Sequence, residues 1–189
     1  MRSATWSQSA PGSSVDPLRS APRHHVVPGA YPAVGQPAHQ RRRRRNPRGR
    51  FNRKGVEALY LSLGEVTALR EYQQTSPFLP PCTMCSYTVA LRDLVDLRQL
   101  HHGAPWDELW HDWREDWRHL KFERHIEPPT WVLADMVLAH GYTGILFPSQ
   151  AHEGGTNVVV YSDRLKDGNS VTVNDADGRL PRDTSGWAR

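Results

Sequence analysis

The stretch 49-GRFNRKGVEALYLSLGEVTALREY-72 decides how the rest of the chain is read. Its middle, ALYLSL at 58–63, alternates with the period of a strand and puts Ala58, Tyr60 and Ser62 on one face. Gly64 interrupts that pattern. GEVTALREYQQ at 64–74 then reads as a short helix with Glu65 in its first turn, where a carboxylate suits the positive end of the helix dipole. A helix starting at Glu65 sets Thr67 or Ala68 one turn before Glu71 on the same face. Arg50, Tyr60 and Glu71 are spaced along this strand–helix unit, and the spacing has two readings. One is ordinary surface charge. The other is that the three side chains face one anionic, aromatic ligand.

Working outward, CSYTVALRDLVDL at 85–97 reads as a strand, GILF at 144–147 as a second that stops at Pro148-Ser149, and VVVYS at 158–162 as a third. Residues 105–120, PWDELWHDWREDWRHL, read as a helix with Pro105 at its first position. Trp106, Trp110, Trp113 and Trp117 step by four, three and four along it, forming an aromatic stripe that either packs on the sheet or meets a partner protein. A further helix is expected from Thr130 to Ala139, stopped by Gly141. Mixed short strands and helices predict an α+β domain over residues 47–165. Residues 1–46, rich in Ser, Pro, Ala, Gly and Arg, predict a basic and largely disordered segment in which HHVV could make a short edge strand. Residues 166–189 read as a polar tail with room for one hairpin.

The 189 residues suffice for one core plus tails; the hydrophobic share is 38% and the mean hydropathy −0.67. The net charge of +4 divides unevenly. Residues 1–54 carry twelve Lys and Arg against Asp16 alone, whereas residues 55–189 carry twelve against nineteen Asp and Glu, a net of −7. The basic character therefore belongs to the N-terminal segment. RRRRR at 41–45 would attract phosphate or an acidic surface, either as an arm for nucleic acid or a partner, or as a solvated tail. No run reaches the roughly 18 apolar residues of a membrane span. No apolar h-region follows Arg2, so a cytoplasmic protein is the default. Cys82 and Cys85, in CTMC, lack a second cysteine pair and read as structural thiols rather than a metal or redox site.

A chemistry can be assembled from these parts. A guanidinium at Arg50 makes forked bonds to phosphate oxygens and keeps its charge. The Tyr60 ring can stack on a flat heterocycle. The Glu71 carboxylate can stabilise positive charge developing on a sugar. Ser149 follows a strand end, and GGTN at 154–157 can bring backbone close to a ligand, with Asn157 orienting the loop. These groups suit a nucleotide with a scissile glycosidic bond. The chain has no GxGxxG, no GxxxxGK[ST] and no G-x-S-x-G, which argues against Rossmann, P-loop and α/β-hydrolase chemistry.

GRFNRKGVEALYLSLGEVTALREY, the strand-like VALRDLVDL, and PPTWVLADMVLAHGYTGILFPSQAHEGGTNVVVY together resemble the RES domain, a bacterial toxin family named for an arginine, a glutamate and a serine. The likeness covers roughly residues 48–162. It implies a fold like the ADP-ribosyltransferase toxins, a mixed or split β-sheet with packed helices. The implied reaction is cleavage of the nicotinamide–ribose bond of NAD, with water or phosphate as acceptor and NAD as substrate rather than cofactor. By position, Glu71 would be the catalytic carboxylate, Tyr60 would stack near nicotinamide, Ser149 would be the family serine and Arg50 would contact the phosphates. A helix-turn-helix antitoxin is the implied partner. A catalytically inactive relative, or a binding protein acting through its basic arm, would keep the same sequence pattern. Family members also carry an earlier strand with its own arginine. Here that region is proline-rich, and Arg23 is the nearest candidate.

Overall fold

Thr156–Tyr161, the most β-branched run in the chain, forms an interior strand of the sheet. The computed structural model describes residues 23–34, 48–74, 78, 82–99, 108–165, 168–178 and 180. In chain order the regular elements are β1 (Arg23–Val34), β2 (Ala58–Ser62), α1 (Glu65–Gln73), β3 (Met84–Asp96), α2 (Pro129–Ala139), β4 (Gly144–Pro148), β5 (Thr156–Tyr161) and β6 (Ser170–Val173). They build one mixed sheet in the order β1-β3-β4-β5-β2. β5 runs antiparallel to both of its neighbours, and β3 and β4 are parallel.

Side chains alternate across a strand, so each central strand feeds two cores. Val95, Ile145, Phe147, Val159 and Tyr161 face one side. There α2 contributes Leu133, Ala134 and Val137, and the irregular helical segment before it contributes Trp110 and Trp113. Leu94, Leu146, Val158, Val160 and Leu61 face the other side. That face is closed by curvature: β1 and β2, the two ends of the strand order, come close together, and Val171, Val173 and Leu180 pack beneath. Burial on both faces explains why GILF and VVVY are continuously apolar instead of alternating. Gly144 is required where β4 begins, because a Cβ there would sit 2.0 Å from the Val159 carbonyl oxygen.

β3 serves more neighbours than one strand usually does. β1 takes one edge, while the other is divided between β6 at Tyr87–Ala90 and β4 at Leu94–Asp96. Between these two stretches Asp93 adopts φ 54°, a turn of backbone that re-aims the strand from one partner to the other. Just beyond, the wholly buried Asp96 carboxylate is held by a forked pair of bonds from Arg98, at 2.8 and 2.6 Å.

Three expectations from the sequence are corrected. Within the segment read as disordered, residues 23–34 form a twelve-residue strand antiparallel to β3. Its prolines are tolerated because β1 takes the outer edge of β3, and the register shifts between His24 and Val26 and again between Val26 and Gly29. Within the polar tail, residues 170–173 do not fold into a hairpin but pair with β3, some eighty residues earlier. The tryptophan-rich stretch is helical but not one α-helix. Residues 108–114 form a 3-10 turn, and a separate turn of π-type follows at 119–123. Trp110, Trp113 and Trp117 are buried, which assigns that part of the stripe to packing. Trp106 and the arginine run lie outside the described residues, as does most of the 1–46 segment. The α+β expectation holds. Among the described residues, no helix is long and apolar enough to cross a membrane.

Candidate active site

The site begins at Gly64, the extended residue at which β2 passes directly into α1. That junction carries the last turn of α1, with Glu71, over the ends of β2, β4 and β5. One carboxylate oxygen of Glu71, Oε1, accepts two hydrogen bonds, from Ser149 Oγ at 2.7 Å and from Asn157 Nδ2 at 2.6 Å. Gln74 donates to Oε2 from one turn along the helix. The donors are themselves fixed. Asn157 Oδ1 accepts from Ser62 Oγ at 2.7 Å, which leaves the amide NH2 pointing at Glu71. Ser149 Oγ accepts from the backbone N–H groups of Ala151 and His152, so its own proton is free for the carboxylate. Thr67 on α1 bonds Nδ1 of His152 at 2.8 Å and ties the 149–155 loop to the helix that carries Glu71. The carboxylate is thus held from three segments, and bonds to an ionised acceptor are stronger than neutral ones.

Glu71 and Asn157 line a cleft of about 610 Å³, with Tyr60, Arg50, Trp117 and Arg118 around it. Tyr60 is locked by its hydroxyl, which accepts from the Phe51 N–H at 2.8 Å and donates to Asn52 Oδ1 at 2.9 Å. Its polar end therefore belongs to the fold, and its ring is what the cleft meets. Gly49 lies against this phenol: a Cβ there would come within 2.6 Å of the Tyr60 hydroxyl and 2.4 Å of Asn52 Oδ1. The Gly49 carbonyl in turn accepts from Trp131 Nε1 on α2.

Arg50 is the most constrained cation of the site. Its Nη1 donates to the carbonyls of Trp113 and Glu115, both at 3.0 Å, and its Nη2 to Gln150 Oε1 at 2.5 Å. Gln150 closes the circuit by donating to the Arg114 carbonyl. Burial and the positive charge of Arg118 push the Arg50 pKa down, while Glu71 pulls it up. A guanidinium so lowered still remains a cation at any physiological pH.

All five residues singled out in the sequence meet here, in roles partly different from those expected. Glu71, Tyr60, Arg50 and Asn157 line the cleft, and Ser149 stands behind Glu71 as its donor. Asn157 orients the carboxylate instead of a loop. Arg50 spends three of its donors on protein oxygens. Sequence reading passed over Arg118, Phe122 and Gln150, which also line the cleft. The tryptophan stripe had marked their segment as one in contact with the body, but nothing in it said that the polar side would border a cavity. Cys85 is buried in the second core, where desolvation raises its pKa; Cys82 is half-buried, and both are free thiols. Among the described residues no cluster of three or more His, Cys, Asp or Glu is placed to hold a metal.

The family model for the RES domain matches residues 17–183 of the chain. The chain belongs to the RES domain family. The match reaches beyond the 48–162 stretch of the sequence likeness and takes in β1, of which the sequence had suggested only a short edge strand at HHVV, and β6, which it did not reveal. No curated protein sequence matches the chain. Among solved structures, the RES domain described here is similar to a chain of the M. tuberculosis MbcT–MbcA toxin–antitoxin complex. The TM-score is 0.50 at 15% identity, over 79% of this chain and 82% of that one. At that identity the likeness concerns the fold.

Proposed function

We propose that this RES domain is the toxin of a toxin–antitoxin pair and that it cleaves the nicotinamide–ribose bond of NAD. The observation that carries the reading is the Glu71 carboxylate, aimed into a nucleotide-sized cleft by Ser149 and Asn157 and flanked by the Tyr60 ring and arginines. A volume of about 610 Å³ lies within the roughly 300–1,000 Å³ of small-molecule sites. Family membership and the fold shared with a chain of a toxin–antitoxin complex point the same way.

In this reaction the C1′–N bond breaks and its electron pair leaves on the pyridinium nitrogen, so nicotinamide departs neutral without a proton. Positive charge develops on the ribose and is stabilised by Glu71. A water or phosphate oxygen then bonds to C1′; a water acceptor loses its proton to solvent. The fold holds Glu71 in place before substrate arrives, so no reorganisation is needed as the charge appears. The implied partner is a helix-turn-helix antitoxin, and the implied setting is the cytoplasm.

Incubating the purified chain with NAD, with and without phosphate, and identifying the products tests the reading. Wild type should release nicotinamide, and Glu71→Ala, still folded by circular dichroism, should not. Equal turnover by the two proteins removes Glu71 from the chemistry. No turnover by wild type favours a catalytically inactive relative.

A further inference from the structure

Arg50 is held by so many protein oxygens that it presents little of its fork to a ligand. Its three bonds run to the carbonyls of Trp113 and Glu115 and to Gln150, and Gln150 grips the Arg114 carbonyl in turn. Each of these fastens the same segment, 113–115, to the rim of the cleft. Immediately after it a new turn begins, with Asp116 Oδ1 accepting from the backbone N–H groups of Arg118 and His119. That turn delivers Arg118 and Phe122 to the cleft wall. Arg118 is exposed, and its guanidinium lies 5.0 Å from the centre of the Trp117 ring and, among the described residues, donates to no hydrogen-bond acceptor. Asp116, its nearest acid in sequence, is occupied as the cap of the turn. Phe122 is 54% exposed and stands 6.0 Å from Trp117, ring centre to ring centre.

Three arginines, Arg48, Arg50 and Arg118, therefore line one cleft, Arg50 tied to the protein and the Arg118 guanidinium without a hydrogen-bond acceptor among the described residues, beside an exposed aromatic ring. An empty site of this kind is electrostatically unfavourable, and a dianion between the arginines relieves it. We propose that the 116–123 turn is the distal clamp for a dinucleotide, with Arg118 holding the pyrophosphate and Phe122 stacking on the second base, while Arg50 acts as a positioning residue that fixes the turn. The assignment rests on the NAD reading for the identity of the ligand, but the anion site stands on its own geometry. It also gives the cleft a reason to prefer a dinucleotide over a mononucleotide. The far base reaches Phe122 only when a pyrophosphate spans the gap to Arg118.

Calorimetric titration of the full chain with inorganic pyrophosphate and with ADP-ribose, together with steady-state kinetics on NAD, tests this. Arg118→Ala should weaken both ligands by about 10–100-fold, the range of one charge-assisted bond, with the loss in turnover falling on KM rather than kcat. Phe122→Ala should weaken ADP-ribose by about tenfold and leave pyrophosphate unchanged. Arg50→Lys keeps the charge but loses the fork. It should weaken pyrophosphate and also speed hydrogen exchange over residues 113–119, a signature that Arg118→Ala does not show. Both Arg118 and Phe122 are exposed, so neither change should lower the melting temperature. Wild-type binding of pyrophosphate without NAD turnover keeps the clamp and refutes the proposed reaction. Turnover of NAD with Arg118→Ala binding both ligands as wild type does overturns the clamp alone. Failure of wild type to bind either ligand overturns the clamp, whatever its turnover of NAD.

Discussion

Replacing Asn157 by aspartate exchanges one NH2 for one oxygen and little else. The Ser62 hydroxyl can still donate to the unchanged oxygen, and the packing of β5 is undisturbed. What changes is the partner of Glu71, whose Oε1 now accepts from Asn157 Nδ2 at 2.6 Å. In the variant two carboxylates would meet at that distance. Two like charges about 4 Å apart, at an effective dielectric near 20, repel by roughly 4 kcal/mol. Glu71 is only partly buried, which reduces this to about 2–4 kcal/mol, or roughly 1.5–3 pKa units. The pair should therefore hold one proton to higher pH than an isolated carboxyl. A folded pKa raised above the unfolded value gives stability that is complete below the unfolded value, near pH 4, and is lost as pH rises through the folded one. Asn157→Asp should match wild type in urea denaturation near pH 4.5 and fall about 2–4 kcal/mol behind it at pH 8. Asn157→Ala serves as the control, weaker at all pH values and without the added slope. Parallel stability curves for Asn157→Asp and wild type would refute the arrangement in which the Asn157 amide donates to Glu71.

Other perturbations follow from the same contacts. Ser149→Ala removes a donor from Glu71 and leaves the Ala151 and His152 N–H groups without their acceptor; stability should fall by about 1–3 kcal/mol in thermal melts, and nicotinamide release by about 10–100-fold. Gly49→Ala pushes a methyl against the Tyr60 hydroxyl and Asn52 Oδ1, at a cost of about 1–3 kcal/mol; calorimetry should show a melting temperature roughly 2–10 °C lower, and an unchanged value would refute the close approach. Asp116 has its pKa held below the usual carboxylate value by the His119 and Arg118 N–H groups, so its contribution is present above the ordinary value and lost as pH falls through the folded one. Protection of the Arg118 and His119 amides against hydrogen exchange should drop in that acid range, and Asp116→Ala should show the loss already at neutral pH.

Local pattern disclosed much of this fold. ALYLSL, GILF and VVVYS became strands within a residue or two of their expected ends, and the helix after Gly64 placed Glu71 where its spacing from Glu65 had put it. Legibility failed where a distant residue decided the local conformation. In a continuous α-helix the Trp113 carbonyl would accept from the N–H of Trp117. Instead Arg50, sixty-three positions earlier, takes it, and the helix breaks into two turns. β1 was hidden because its prolines and shifted register erase the alternation that marks a strand, and its position at an edge is known only from the assembled sheet. β6 carries only two valines in four residues and is a strand because β3 offers it an edge. The site residues were legible as chemical types. Their partnerships were not, since the bonds from Ser149 and Asn157 to Glu71 span 78 and 86 positions of the chain.

Those spans bear on the order in which a ribosome makes the protein. Glu71 is synthesised early, but Ser149 and Asn157, its two anchors from outside α1, emerge only with the second half of the polypeptide. Until β5 inserts between β4 and β2, β2 has no hydrogen-bonded neighbour in the sheet order. A nascent chain stalled or cleaved ahead of Ser149 carries the carboxylate without the machinery that aims it. Translation through β5 is therefore a structural precondition for whatever this cleft does.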